Sequence, residues 1–347
     1  MIKTQVFALK IKSLNIKNFK SIVDITINEP NPFTVFVGPN GSGKSNIFEA
    51  LEFANFAKND NVEDIFGGRK AFLNFNHLSS LEDSFGINYL FLFKDSDFKR
   101  RTWWINDEFK TDREPTRVST RRIGFEESGK MFDEVRNVHL KQLDNFHRIF
   151  VGKSEIEKQK ITSENYLSLA ASNLEKVLKR LLENKIVKEE IIEWLELFIP
   201  EFQNIEVRKS EFSSNEDLLI YQKHYEKPFN KELISDGTYN ILCLLTAVFQ
   251  SDEPQFLCIE EPENGLNPKV IKEFVNFFRD ACEQKGHYIW INTHSQTLVS
   301  QLKEEEMIIV DKINGETKIK QFKQGAFYGM PADEALLTNA LGGGIPW

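Results

Sequence analysis

The sequence has little of what builds disulfide-stapled, membrane-spanning or nucleic-acid-coating proteins. Cysteine occurs three times in 347 residues, at Cys243, Cys258 and Cys282. The number is odd, no CxxC pair occurs and the first two lie in apolar runs, so buried reduced thiols are expected in place of disulfides. No stretch reaches transmembrane length. Residues 1–10 lack the apolar core and small-residue cleavage site of a signal peptide, which leads to the expectation of a cytoplasmic chain with no membrane partner. Positive charge is not in excess: 44 Lys and Arg stand against 52 Asp and Glu, for a net charge of -8 and a pI near 5.5. That balance excludes coating of nucleic acid through bulk charge and leaves any DNA contact to a local strip. Sustained heptads are missing as well, which argues against a long coiled-coil arm. No internal repeat or low-complexity segment stands out.

What is present is an alternation of strands and helices. At 347 residues the chain exceeds the usual size of a single core, so one lobed domain or two domains are expected, and 41% hydrophobic residues supply a real core. Alternation from Leu14 to Phe19 and from Ile22 to Ile27 predicts half-buried strands, and Phe33–Val37 a buried strand that runs into a glycine-rich turn. Ile47, Ala50, Leu51 and Ala54 then fall at helical spacing. A further strand is predicted near residues 85–94, followed by hairpins carrying Arg100, Arg101, Arg113, Arg117, Arg121 and Arg122 around Trp103 and Trp104. Residues 163–197 read as helical, with Leu167, Leu174, Val177, Leu178, Leu181 and Leu182 as an apolar stripe. The last third alternates again: strands at 255–259, 288–292 and 307–310, with helices at 270–282 and 296–302.

Three groups of residues carry chemistry. Gly38-Pro39-Asn40-Gly41-Ser42-Gly43-Lys44-Ser45 satisfies GxxxxGK[ST], with Asn46 next to it. In that loop, backbone N–H groups cradle phosphates, the lysine reaches the β- and γ-phosphates, and the hydroxyl of Ser45 ligates Mg²⁺. Downstream, Glu260 and Glu261 end an apolar strand, where carboxylates are costly unless a cation or substrate meets them. Glu260 is therefore a candidate Mg²⁺ ligand, directly or through water, and Glu261 a candidate to orient or deprotonate an attacking water. The third group, Ser235-Asp236-Gly237-Thr238 before an apolar helix, reads by itself as a turn and helix cap.

Taken together these residues resemble the ABC-type ATPase heads of RecF/SMC-like and overcoming-lysogenisation-defect-like bacterial ATPases. The resemblance covers residues 10–95 and 225–312, and the stretch near Asn173 more loosely. It implies an α/β P-loop NTPase fold with a mixed central sheet flanked by helices and an inserted helical and β-hairpin lobe, and it implies ATP and Mg²⁺ as cofactors. It also makes Ser235, Gly237 and Thr238 a signature motif that contacts nucleotide held by a second copy, Asn267 part of the D-loop, and His294 a switch histidine that senses the γ-phosphate. Three features depart from the pattern. Glu260 and Asn267 stand where aspartate is commoner, and no glutamine occupies the Q-loop position between the strand near 85–94 and the lobe.

The expected division is 1–95 and 226–312 for the two parts of the ATPase core, 96–225 for the inserted lobe and 313–347 for a docking tail. The segments 98–104 and 116–122 are basic and partly aromatic, which suits a DNA-backbone strip, a partner surface or solvated hairpins equally. Glu304-Glu305-Glu306 reads as a solvated helix end and not a metal site. The apolar, glycine-rich tail is expected to dock on its own core, or to insert into a partner. By resemblance, the chain is a homodimeric or higher even-numbered ATP-driven switch that controls a separate effector such as a nuclease in anti-phage defence. DNA repair or chromosome maintenance, a transporter ATPase subunit and a non-hydrolysing scaffold are the alternatives. Too few residues follow His294 for a TOPRIM nuclease domain, and zinc-hook cysteines are missing.

Overall fold

The computed structural model describes residues 10–56, 84–93, 96–109, 118–129, 145–151, 165–210 and 216–337. Two compact units emerge, Met1–Phe146 with Leu302–Trp347, and His147–Gln301.

In the first unit, β1 (Lys10–Phe19) and β2 (Ile22–Asn28) form an antiparallel hairpin. Ile11, Leu14, Ile16, Ile25 and Ile27 are buried while Lys17, Asp24 and Thr26 face out, the period-2 pattern of a sheet with one covered face. The other edge of β1 pairs with β4 (Ser84–Phe93), and β5 (Ser96–Phe109) and β6 (Val118–Gly129) continue the sheet in the order β2-β1-β4-β5-β6. The register sets Arg100 opposite Glu127 and Arg101 opposite Glu126, so this stretch is not uniformly basic along its ladder. Arg113 and Arg117 lie outside the described residues.

β3 (Phe33–Val37) is buried throughout, as its unbroken apolar run requires. It pairs in parallel with β13 (Met307–Ile313), which pairs antiparallel with β14 (Glu316–Gln321), so the sheet is mixed. The β13–β14 hairpin turns at Asn314 and Gly315, both with positive φ (52° and 85°), the Asn-Gly two-residue turn whose twist matches the strands. The expected boundary at 312/313 thus falls inside a hairpin. α1 (Lys44–Phe56) packs Phe48 edge-on against Phe36 at 5.5 Å.

Beyond β14 the described chain, up to residue 337, turns back to Glu304. Glu304 accepts the amides of Ala326 and Phe327, each at 2.8 Å, and Phe327 is buried beside Phe322. A short helix, Ala332–Leu337, follows. Glu306 is also buried and accepts the amide of Lys303 at 2.8 Å. Two members of the acidic run are therefore structural acceptors, where a solvated end was expected. The rest of the tail, 338–347, lies outside the described residues.

The second unit carries β7 (Phe146–Ile149), which begins at its boundary, beside β11 (Phe256–Glu260), itself parallel to β12 (Tyr288–Thr293). A separate sheet has the order β10-β9-β8, with β8 Phe202–Lys209, β9 Glu216–Gln222 and β10 Phe229–Asn230. The single helical stretch expected over 163–197 is two helices, α2 (Leu174–Glu183) and α3 (Lys185–Phe198). The break is Asn184, extended at φ -84° and ψ 113°, whose side chain accepts the amides of Ile186 and Val187 and so starts a new helix. Residues 165–173 are not helical, because Asn173 ties the chain into a turn by donating to the Tyr166 carbonyl and accepting from the Ser168 amide.

Trp194 and Phe198 of α3 pack on Phe277 and Phe274 of the next unit-two helix pair partner, Pro268–Lys285, with ring centroids at 4.7 and 4.3 Å. Burying an aromatic ring of this size contributes roughly 2–3 kcal/mol. α4 (Asp236–Phe249) is buried from Asn240 onward, and α5 is the Pro268–Lys285 helix, closed by Gly286 at φ 70°. α6 spans only Gln296–Val299, shorter than expected, and the Ala332–Leu337 helix is α7. The described part of residues 96–225, expected as one lobe, is thus shared among three sheets and two helices. Cys243, Cys258 and Cys282 are all buried thiols. No helix among the described residues is long and apolar enough to cross a membrane.

Candidate active site

The phosphate loop lies wholly in the first unit, between β3 and α1. Two of its glycines, Gly38 and Gly43, are there for space. A Cβ on Gly38 would sit 2.1 Å from the Val310 carbonyl oxygen, and one on Gly43, at φ 105°, would sit 2.0 Å from Thr317 Oγ1. Lys44 is buried and curls back, its Nζ donating to the carbonyls of Gly38 at 2.6 Å and Pro39 at 3.0 Å. The lysine is thereby coiled around the cradle that an anion would fill. Ser42 Oγ is buried without a partner among the described residues, a second sign that a polar ligand belongs there. Asn40 and Gly41 are exposed, and Pro39 and Ser45 half-buried. These groups fit the phosphates of a nucleotide.

Behind the loop stands a chain of small polar groups that sequence reasoning missed. Asn46 Nδ2 donates to Ser21 Oγ at 2.6 Å, Ser21 Oγ lies 2.6 Å from Thr317 Oγ1, and Thr317 Oγ1 donates to the Ser42 carbonyl at 2.9 Å. Asn46 thus faces the β1–β2 turn from behind the loop. Lys20, on the same turn, pairs with Glu49 of α1. The one sequence signal for Thr317 was the Asn-Gly turn that fixes β14 beside the loop.

The acids lie in the second unit. Glu260, the last residue of β11, is 2% exposed and accepts Arg148 Nε at 2.6 Å; an Arg148 terminal nitrogen pairs with the same oxygen. Its other oxygen accepts Asn292 Nδ2 at 3.2 Å. Both carboxylate oxygens are thus engaged by protein donors, and the charge is already balanced by a guanidinium. The arrangement does not fit the Mg²⁺ ligand expected at Glu260; Ser45, the other expected ligand, is half-buried. Among the described residues no cluster of three or more His, Cys, Asp or Glu side chains is arranged to hold a metal.

Glu261 follows with a left-handed backbone, φ 47°, uncommon for a non-glycine residue and typical of functional turns. Its amide donates to the Asn292 carbonyl at 3.0 Å, and its carboxylate accepts Asn264 Nδ2 at 3.2 Å. His294 is half exposed, with Nδ1 3.9 Å from a Glu261 oxygen. The structure therefore brings these two expected residues together. Glu263, which sequence reasoning passed over, joins the loops of Glu261 and His294. One of its oxygens accepts Thr293 Oγ1 and the His294 amide, the other is buried without a partner among the described residues, and burial pushes its carboxyl above the usual range.

Ser235 is the N-cap of α4, accepting the Thr238 amide at 3.1 Å, and Asn267 is the N-cap of α5, accepting the Val270 amide at 3.1 Å. Gly237 packs so tightly on the Gly265 carbonyl that a Cβ would come within 2.3 Å. Asn240 Nδ2 donates to the carbonyls of Pro262 and Asn264, each at 2.8 Å. The helix that begins at Ser235 and the loop that carries Glu261 are thereby one piece.

The family described as "AAA domain, putative AbiEii toxin, Type IV TA system" matches residues 33–300, from the strand before the phosphate loop to the residues just past His294. The chain belongs to this AAA-domain family. Its AAA fold is shared with the SMC head domain from Thermotoga maritima, at a TM-score of 0.51 and 15% identity over 90% of this chain and 99% of that one. Along nearly its whole length the AAA chain is 22% identical to an ATP/GTP phosphatase of Helicobacter pylori, covering 92% of this chain and 94% of the relative. It also matches 43 residues of the chromosome partition protein Smc of Methanocaldococcus jannaschii at 49% identity. That match spans 12% of this chain and 4% of the Smc protein, so the likeness there is to a short segment.

Proposed function

We propose that the chain binds and hydrolyses ATP and works as a switch, with two copies pairing on ATP and parting after hydrolysis. The observation that carries the pairing is the single piece made by α4 and the Glu261 loop: a nucleotide pressed on Ser235 by a second copy would push directly on the acid loop through Gly237, Gly265 and Asn240.

Each residue then has a role. The loop from Gly38 through Pro39, Asn40, Gly41, Ser42 and Gly43 wraps the phosphates, Lys44 leaves its two carbonyls to meet the β- and γ-phosphates, and Asn46 braces the loop from behind. Ser45 holds Mg²⁺, which when bound offsets the negative charge that grows on the phosphates. Glu261 orients the attacking water and draws off its proton, and His294 contacts the γ-phosphate. Ser235, Gly237, Thr238 and the Asn267 turn face the nucleotide of the partner copy, where a helix N-terminus favours an anion.

The switch controls a separate effector protein, such as a nuclease, in anti-phage defence. The family's description, which names a "putative AbiEii toxin, Type IV TA system", supports only the part of that reading in which the chain works with a separate protein. A second reading, action on chromosomal DNA, draws support from the match to a chromosome partition protein. Phosphate release and solution mass, followed together in MgATP and in ADP with Lys44→Ala as the control, test the switch. Expected are ATP-dependent doubling of mass and turnover that Lys44→Ala abolishes; turnover with no change of mass would leave an ATPase that is not a dimer switch.

A further inference from the structure

Glu260 sits where sequence reasoning places a metal ligand, yet its carboxylate is committed elsewhere. Arg148, 8% exposed on β7, meets one of its oxygens through two guanidinium nitrogens, and Asn292, 2% exposed on β12, donates to the other. Asn292 in turn grips the Glu261 amide twice, with its backbone carbonyl at 3.0 Å and its side-chain oxygen at 3.3 Å. That amide belongs to the residue whose backbone is left-handed. β7 is itself anchored: the Phe150 amide, one residue beyond it, donates to the Leu169 carbonyl at 2.6 Å, and the His147 ring lies 4.4 Å from the Tyr166 ring.

We propose that Arg148 is a positioning residue for Glu261, and that Glu260 is its buried counter-ion and not a metal ligand. A carboxylate this deeply buried is strongly disfavoured without a counter-charge, and the forked guanidinium supplies one in a fixed direction. With Glu260 held, its second oxygen fixes which way the Asn292 amide faces. Asn292 Oδ1 is then presented to the Glu261 amide, and the strained turn that aims the Glu261 carboxylate is held from behind. The proposal rests on the reading of Glu261 as the group that acts on water.

The test is a cycle in the full-length chain of Arg148→Met, Arg148→Lys, Glu260→Gln and the double variant Arg148→Met/Glu260→Gln. The readouts are thermal midpoint, affinity for a fluorescent ATP analogue titrated with Mn²⁺, and kcat and KM. Arg148→Met is expected to lower the midpoint and to cut kcat about tenfold or more with KM within about threefold, while Arg148→Lys keeps the charge and recovers part of kcat. The double variant, which removes both charges, is expected to regain the midpoint, and in it and in Glu260→Gln the Mn²⁺ requirement stays within about threefold of the unmodified chain. Should Arg148→Met fail to fold, Arg148→Lys and the double variant carry the same comparison. A rise of about tenfold or more in the Mn²⁺ requirement of both Glu260→Gln and the double variant makes Glu260 a metal ligand and overturns the proposal, as does unchanged kcat in Arg148→Met. Failure of the unmodified chain to bind the analogue at all would instead sink the ATPase reading, and this inference with it.

Discussion

The phosphate loop and the acid loops are held in opposite ways. Among the described residues the loop of the first unit is backed by small neutral groups, Gly38 and Gly43 against backbone and hydroxyl neighbours and then Asn46, Ser21 and Thr317 in a line, with the Lys20–Glu49 pair beside them. Around the acids of the second unit the supports are buried and charged or strained: Arg148 on Glu260, Glu263 between two loops, and Glu261 at φ 47°. A site that binds phosphate through its own amides needs space and conformational freedom, and both are written locally as glycine. One that holds carboxylates out of water needs counter-charges, which arrive from distant parts of the chain.

The sharpest way to break this comparison is Lys44→Ala. It removes the ammonium that the loop wraps around, and turnover should fall about a thousandfold, to the level of a loop that only cradles. Measured phosphate release near the original rate would show that the loop does not hold the reacting nucleotide. Gly43→Ala probes the neutral support: with φ at 105° and Thr317 Oγ1 in the path of the new methyl, a stability loss of about 3 kcal/mol is expected in denaturant titration. The less strained Gly41, at φ 77° with open space around it, should lose less on the same substitution.

The second unit should also answer to acid. Burial lowers both His147 and His287 from 6.5 to about 4, so the folded chain keeps them neutral where an unfolded chain would charge them. His287 accepts the Gln255 amide at 3.2 Å, which fits the neutral ring. The stability they contribute is complete above pH 6.5 and is lost as pH falls from there toward 4. By pH 5.5 the loss is about 1 kcal/mol for each histidine. A thermal midpoint flat from pH 7 to 5 would contradict this. The smallest effect concerns Asn267: Asn267→Ala should cost about 1 kcal/mol of stability through the lost cap on α5, while Asn267→Asp, which keeps the acceptor, should cost almost nothing.

How far the sequence could be read follows the same divide. The strand, loop and helix around Lys44, the buried strand that ends in Glu260, and the fold class itself are local patterns of apolar period and glycine, and the chain folds accordingly. Asn184 was a missed local signal: an asparagine between two stretches of one apolar stripe looks like a helix interior until its side chain is seen capping the next helix. The Asn314-Gly315 turn was legible in principle and would have moved the expected boundary out of the hairpin. Arg148 was not legible at all, since it lies 112 residues before the acid it balances and no pattern around it names that partner. Glu304 was misread for a similar reason: the amides it accepts lie 22 and 23 residues ahead, in the turn that docks the tail.

The proposed role of Glu261 as the group that acts on water is tested most directly by Glu261→Gln, assayed for ATP affinity, phosphate release and solution mass in MgATP. The account predicts affinity within about threefold of the unmodified chain, turnover reduced about a hundredfold, and a stable two-copy species that ADP does not produce. Hydrolysis at the unmodified rate by a chain that stays single would contradict it.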